Sequence, residues 1–284
     1  MAYDDGSLKP EDYAEPRCVL CGDPYGKAPE VRPVPQQRII AKMDEYMSRR
    51  DYDGAERHLL YWLEEARQGN DQRGELLIEN ELVGHYRKVG DRDNALAHGE
   101  AALHLLDDLD FTGTISSGTT YTNVATACNA FKENERAMEL FEKARAVYEE
   151  APHTDPALLG GLYNNMGLTC VALKRWKQAN ALYDKALEIM ETVPGGELEQ
   201  AITYLNMADA LCAEKGMEES ESQIFSWLDI AYDLLTGDVV DSGVVDEGYY
   251  AFVCEKCAPT FSYYGYFLAA DELNRRAEEI YHRE

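Results

Sequence analysis

Ala95, Ala137 and Ala179 stand 42 residues apart, and Ala102, Ala144 and Ala186 repeat the same step. A fixed period of this length means one supersecondary unit, copied and stacked, because each copy can bury its apolar face only against its neighbours. This overrides the expectation from length alone, since 284 residues would otherwise suggest about two separate cores. Asparagine follows the same rhythm: Asn123, Asn165 and Asn206 recur in successive units, and Asn80 falls in nearly the same place.

Within one period the pattern is helix, short turn, helix. Apolar or small residues recur at helical spacing through Leu162, Met166, Gly167 and Cys170. After a turn near Lys174 they resume at Ala179, Leu182, Tyr183, Ala186 and Leu187, and Pro194 with two glycines then breaks the chain. The small residues have a physical cause: they stand where paired helices cross most closely, and a longer side chain would force the backbones apart.

This unit resembles the tetratricopeptide repeat through Gly167, Cys170, Trp176, Ala179, Tyr183 and Ala186. Ala125, Cys128, Ala137, Phe141 and Ala144 repeat the pattern before it, as do Tyr86, Gly90, Ala95 and Ala102. Tyr46, Tyr52 and Ala55 mark a weaker first copy. Ala208, Leu211 and Ala231 mark a fifth, and Ala258, Phe261, Gly265, Phe267, Ala270 and Ala277 a sixth. The period exceeds the family's usual ~34 residues and is similar to that of kinesin light chain-type and bacterial tetratricopeptide proteins. The expected fold is all-α: a right-handed superhelix, or α-solenoid, of about six helix pairs. Its repeats would run over 36–69, 72–110, 116–151, 155–193, 197–237 and 246–284. Six of the ten prolines lie between residues 1 and 35, so that stretch reads as an irregular N-terminal arm.

The resemblance implies a concave groove lined by the first helix of each unit, where an extended peptide or protein segment is held. The groove candidates on the third unit are Thr119, Thr122, Asn123, Thr126 and Asn129, polar yet uncharged along one helical face. The second unit contributes Asn80, Glu81, Gly84, Arg87 and Lys88, the fourth Asn164, Asn165 and Leu168, and the fifth Leu205, Asn206 and Asp209. Asn is a poor helix former, so its recurrence asks for a reason. A carboxamide matches the donor and acceptor of a peptide unit and would clamp a ligand backbone. The alternatives are a self-associating structural protein, in which each amide bonds the adjacent repeat and sets the stacking angle, and an autoinhibited binder whose own arm of residues 1–35 lies in the groove. Four amides at ~1 kcal/mol each amount to about millimolar affinity, so selectivity would fall to Leu168, Leu205 and the charged residues of the second unit.

The 53 acidic and 27 basic residues leave a formal charge of −26, with no cationic cluster to neutralise phosphates or an anionic membrane surface. Nucleic acid and membrane are therefore not expected partners. The acidic start, MAYDDGSLKPEDY, has no apolar core of the secretory kind, and a cytoplasmic location with reduced thiols is expected. Cys18 and Cys21, with Cys254 and Cys257, form two C-x-x-C pairs able in number to hold a zinc ion. The simpler expectation is core packing and no cofactor, because the pairs sit at opposite ends of an extended stack. Thr112 to Gly118 reads as an inter-repeat loop, the six histidines are scattered, and Trp62, Trp176 and Trp227 read as core. No catalytic constellation is present, so an enzyme is not expected. Eight aromatics between Tyr249 and Phe267 load the last unit, whose outer face has no following helix and would permit a homodimer.

Overall fold

The computed structural model describes residues 31–237 and 245–282. Cys18, Cys21 and nearly all of the arm expected over 1–35 lie outside them. Among the described residues twelve helices follow one another in six hairpins. The pairs are α1 (Gln36–Ser48) with α2 (Tyr52–Gln68), α3 (Gln72–Val89) with α4 (Arg92–Asp108), and α5 (Ile115–Ala130) with α6 (Asn134–Glu150). Then come α7 (Pro156–Ala172) with α8 (Trp176–Met190), α9 (Glu197–Lys215) with α10 (Met217–Thr236), and α11 (Glu247–Tyr263) with α12 (Phe267–Tyr281). The architecture is the all-α solenoid expected from the period.

Local chemistry starts and stops the helices. Asp51, Asp71, Asp91 and Asp246 cap α2, α3, α4 and α11, each carboxylate accepting a backbone N–H of the first turn. Thr114 does the same for α5 with the N–H of Ser117, which places Ile115 to Gly118 inside the helix and confines the loop to the residues before them. Gly90, Lys132, Lys174 and Gly216 lie 42 apart in the turns within pairs, all with positive φ, from 59° at Lys174 to 82° at Gly216.

The repeated alanines are the closest points of packing. Ala95, Ala137, Ala179, Ala102, Ala144 and Ala186 are all fully buried. A Cβ on Gly167 would stand 2.4 Å from the ring of Tyr183, and one on Gly118 2.3 Å from that of Tyr148. The core is a chain of clusters, each straddling neighbouring pairs. One gathers Ile39, Leu59 and Leu82, a middle one Phe141, Leu162 and Met166, and a last one Leu198, Leu228 and Phe261. Trp62, Trp176 and Trp227 are half-buried instead of core, and Trp62 and Trp227 pack on the rims of the first and last clusters.

Besides the ion pairs of Arg67 with Glu75 and Glu79 and of Arg92 and Arg136 with Glu133 and Glu100, the polar bonds between consecutive units are of two kinds, and these alternate. Tyr86 donates to Glu56 at 2.8 Å between the first and second units, and Tyr163 to Glu149 at 2.6 Å between the third and fourth. Between the fifth and sixth, Tyr232 donates to Glu272, Tyr264 to Asp209, Tyr266 to Asp229 and Tyr249 to Glu199. The remaining two seams are joined by side-chain amides.

The six pairs also curl until the first meets the last. Arg50, in the α1–α2 turn, donates to Glu255 of α11 at 2.9 Å, and its guanidinium stands 5.2 Å from the Tyr281 ring centroid. Lys88 of α3 stands 5.4 Å from the ring of Phe252. The ends of the stack are therefore neighbours, contrary to the sequence expectation, because the small rotation between units accumulates into nearly a full turn.

Candidate functional site: the inner wall

The first helices α3, α5, α7, α9 and α11 pack in succession against one another and form a continuous wall. This wall carries the residues singled out as groove candidates, but the structure divides them into two sets.

The first set bonds from one repeat to the next. Asn80 donates to Thr120 Oγ1 at 3.0 Å and to the carbonyl of Leu76 at 2.9 Å, while its own Oδ1 accepts from Asn123 at 3.2 Å. Asn164 Oδ1 accepts from Asn206 at 3.0 Å and from the Thr203 hydroxyl at 3.3 Å. Asn164 is buried at 4% exposure. Asn80, Asn123, Asn164 and Asn206 thus each spend hydrogen-bonding capacity on the adjacent repeat, as the stacking alternative expects; Asn164 is buried there, while Asn80, Asn123 and Asn206 stay half-exposed on the wall. The expectation for Leu205 is corrected. At 3% exposure it belongs to the core of the last two units and forms no groove pocket.

The second set faces solvent. Thr122, Thr126, Asn129, Asn165 and Leu168 are half-exposed, and Thr119 is exposed. The hydroxyls of Thr122 and Thr126 donate to the carbonyls of Gly118 and Thr122 one turn back, which leaves the Thr126 oxygen free to accept, while Thr122 also meets the hydroxyl of Tyr148. Thr119 shares a 3.0 Å hydrogen bond with the hydroxyl of Tyr148 from α6. Tyr148 was not among the groove candidates; its place over Gly118 could have been found from the pairing of a glycine with a large residue across one hairpin.

Three charged groups on this wall are shifted by their surroundings, although Glu81 is only half-buried and Arg87 and Asp209 remain exposed. Burial, reinforced by Asp44, raises the Glu81 carboxyl above its ordinary range. Crowding of the wall likewise raises Asp209, although the hydrogen bond from Tyr264 works the other way. Desolvation lowers Arg87. No ion pair joins any of these three to an opposite charge among the described residues.

No group of three or more His, Cys, Asp or Glu converges among the described residues. Cys254 and Cys257 are buried in α11, where loss of solvent pushes their thiols up to about 11 and about 12, so both are protonated at neutral pH.

Comparison with known proteins agrees with this architecture. Residues 158–224 match the model of the tetratricopeptide repeat family. No curated protein sequence matches the chain. Among solved structures, a Rap protein complexed with competence and sporulation factor gives a TM-score of 0.53 at 12% identity, over 86% of this chain and 74% of that one. BtubC from P. vanneervenii gives 0.46 at 17% identity, over 87% and 91% of the two chains. A putative kinesin light chain from Podosopora anserina gives 0.44 at 18% identity, over 72% and 96%. At 12% identity the Rap likeness shows a shared fold.

Proposed function

We propose that this tetratricopeptide-repeat protein is a non-enzymatic adaptor whose inner wall holds an extended peptide or protein segment. The observation that carries the reading is the half-exposed polar stripe of Thr122, Thr126, Asn129 and Asn165, flanked by Glu81, Arg87 and Asp209. Glu81 is half-buried and Arg87 and Asp209 are exposed, and none of the three has an ion-pair partner among the described residues, so each is open to a complementary charge on a ligand. The uncharged stripe between them offers acceptors to a peptide backbone without imposing a sequence. Recognition thus divides into a permissive centre and selective charged flanks. The Rap protein in its complex with competence and sporulation factor is a case of the fold engaged with a partner.

The test is selection from a phage-displayed random peptide library on the full chain, with each enriched peptide re-measured against Arg87→Glu and Asp209→Lys. Binding weakened at least about tenfold, the ~1.4 kcal/mol of one charge-assisted contact, supports the wall. Peptides that bind both variants as tightly as the native chain refute it.

A second reading is favoured by one surface. Tyr263, Phe267 and Leu268, around the α11–α12 turn, are 74%, 64% and 86% exposed. Apolar side chains this open on one turn are suited to a homodimer. Light scattering at high concentration distinguishes a dimer from the 32.0 kDa monomer, and a monomer alone removes this reading.

A further inference from the structure

We propose that the contact between the first and last helix pairs is a latch, and that the superhelix opens and closes about it to admit a ligand to the inner wall. The closing contact differs from every contact between consecutive units. It consists of side chains only: Arg50 with Glu255, Arg50 over Tyr281, and Lys88 over Phe252. The side chains of the ion pair remain 51% and 39% exposed. No buried cluster crosses it, for the core around Ile39, Leu59 and Leu82 shares no residue with the core around Leu198, Leu228 and Phe261. Between the two ends lies a cavity of about 1040 Å³, lined by Asp44, Arg49 and Tyr52 on one side and by Tyr249, Phe252 and Tyr281 on the other. The two surfaces touch without interdigitating.

The latch is presented by rigid parts. Arg50 occupies a left-handed turn position, φ 54°, held by hydrogen bonds from its own N–H to the Met47 carbonyl and from the Asp51 N–H to the Tyr46 carbonyl. Glu255 projects from the middle of α11. Motion is therefore assigned to the seams of the stack: a few degrees at each seam adds up at the ends, as in a spring. An exposed ion pair shifts such an equilibrium by only roughly two- to fivefold, so open and closed forms exchange freely and a ligand that spans the wall can select the closed one. The latch itself stands on the closing contact, while its meaning as an entry gate rests on the peptide-binding reading above.

The experiment is small-angle X-ray scattering of the full chain without peptide, for the native protein, Arg50→Glu, Glu255→Arg and the double swap. The latch predicts a larger radius of gyration in each single variant and return toward the native value in the double swap. Four superimposable curves would overturn it, as would a double swap that stays expanded. Both side chains are exposed, so folding is expected to survive; if either reversal fails to fold, Glu255→Gln, measured at low and high salt, must show the same expansion or the proposal is lost. Because no peptide is present, this result is independent of the peptide selection: a latch without a ligand, or a ligand without a latch, would each be recognised.

Discussion

The amide seams and the tyrosine–carboxylate seams solve one problem with different chemistry. Where the second unit meets the third, and the fourth the fifth, neutral amides bond each other inside the packed wall, with Asn164 at 4% exposure. Where the first meets the second, and the third the fourth, a tyrosine reaches a carboxylate nearer the surface, as Tyr163 reaches the exposed Glu149. A chain with 53 acidic and 27 basic residues cannot give each carboxylate an ammonium or guanidinium partner. Its 19 tyrosines supply donors that add no charge. The lesson is that a large acidic excess need not loosen a solenoid when hydroxyl donors supplement the few arginines, Arg67, Arg92 and Arg136, that pair across its seams.

The largest effect expected from this contrast is at the buried amide. Asn164→Ala removes the acceptor of Asn206 and empties a packed position, while Thr203 keeps the Glu199 carbonyl at 2.8 Å; the change should cost about 2 kcal/mol, lowering the thermal midpoint by roughly 5 °C. Tyr163→Phe should cost about 1 kcal/mol, since Glu149 turns to water when its donor is lost. Equal costs in calorimetry would erase the distinction between the seams. Alkali probes it without mutation. Burial and the Glu149 hydrogen bond raise the Tyr163 hydroxyl to about 12, and burial with the Asp229 hydrogen bond does the same to Tyr266. A raised folded value means stability that is complete below the unfolded tyrosine value of about 10 and is lost as pH climbs through about 12. Denaturant melts between these limits should fall less steeply for Tyr163→Phe than for the native chain, while Asn164→Ala should keep the native slope.

The smallest effect has the opposite sign. Asp209 is raised, so its proton is held more firmly in the folded state, and the stability this confers at low pH is lost as pH rises through the folded value. Asp209→Asn should therefore be slightly more stable than native at neutral pH, by no more than a few tenths of a kcal/mol after solvent screening. The two should converge below the ordinary aspartate value of about 3.9. A neutral-pH loss in thermal melts would show that the Tyr264 hydrogen bond outweighs desolvation.

The alanine period carried the fold because small residues at helix crossings leave a direct mark on composition. The amide ladder was visible for the same reason, but its role was not. Asn164 and Asn165 are adjacent, and one residue turns a helix by about 100°. That turn buries the first between repeats and leaves the second half-exposed on the wall, while the period alone does not say which of two neighbouring positions faces a ligand. The tyrosine seams escaped notice because donor and acceptor obey no common spacing: Tyr163 and Glu149 are 14 apart, Tyr264 and Asp209 55. Gly90, Lys132, Lys174 and Gly216 keep the 42-residue step, yet two lysines disguise a turn position that glycine alone would announce. Ring closure could not be read at all, since it is the sum of small rotations and no single residue encodes it.

The neutral donors at the seams have a consequence for ionic strength. Salt screens charge against charge over about 10 Å at 0.1 M, but it has little hold on an amide or a phenol. Raising it should relieve the mutual repulsion of the acidic surface and tighten the stacked body, while weakening the exposed ion pairs, among them the one that joins Arg50 to Glu255. Brine would make this protein harder to unfold and easier to open.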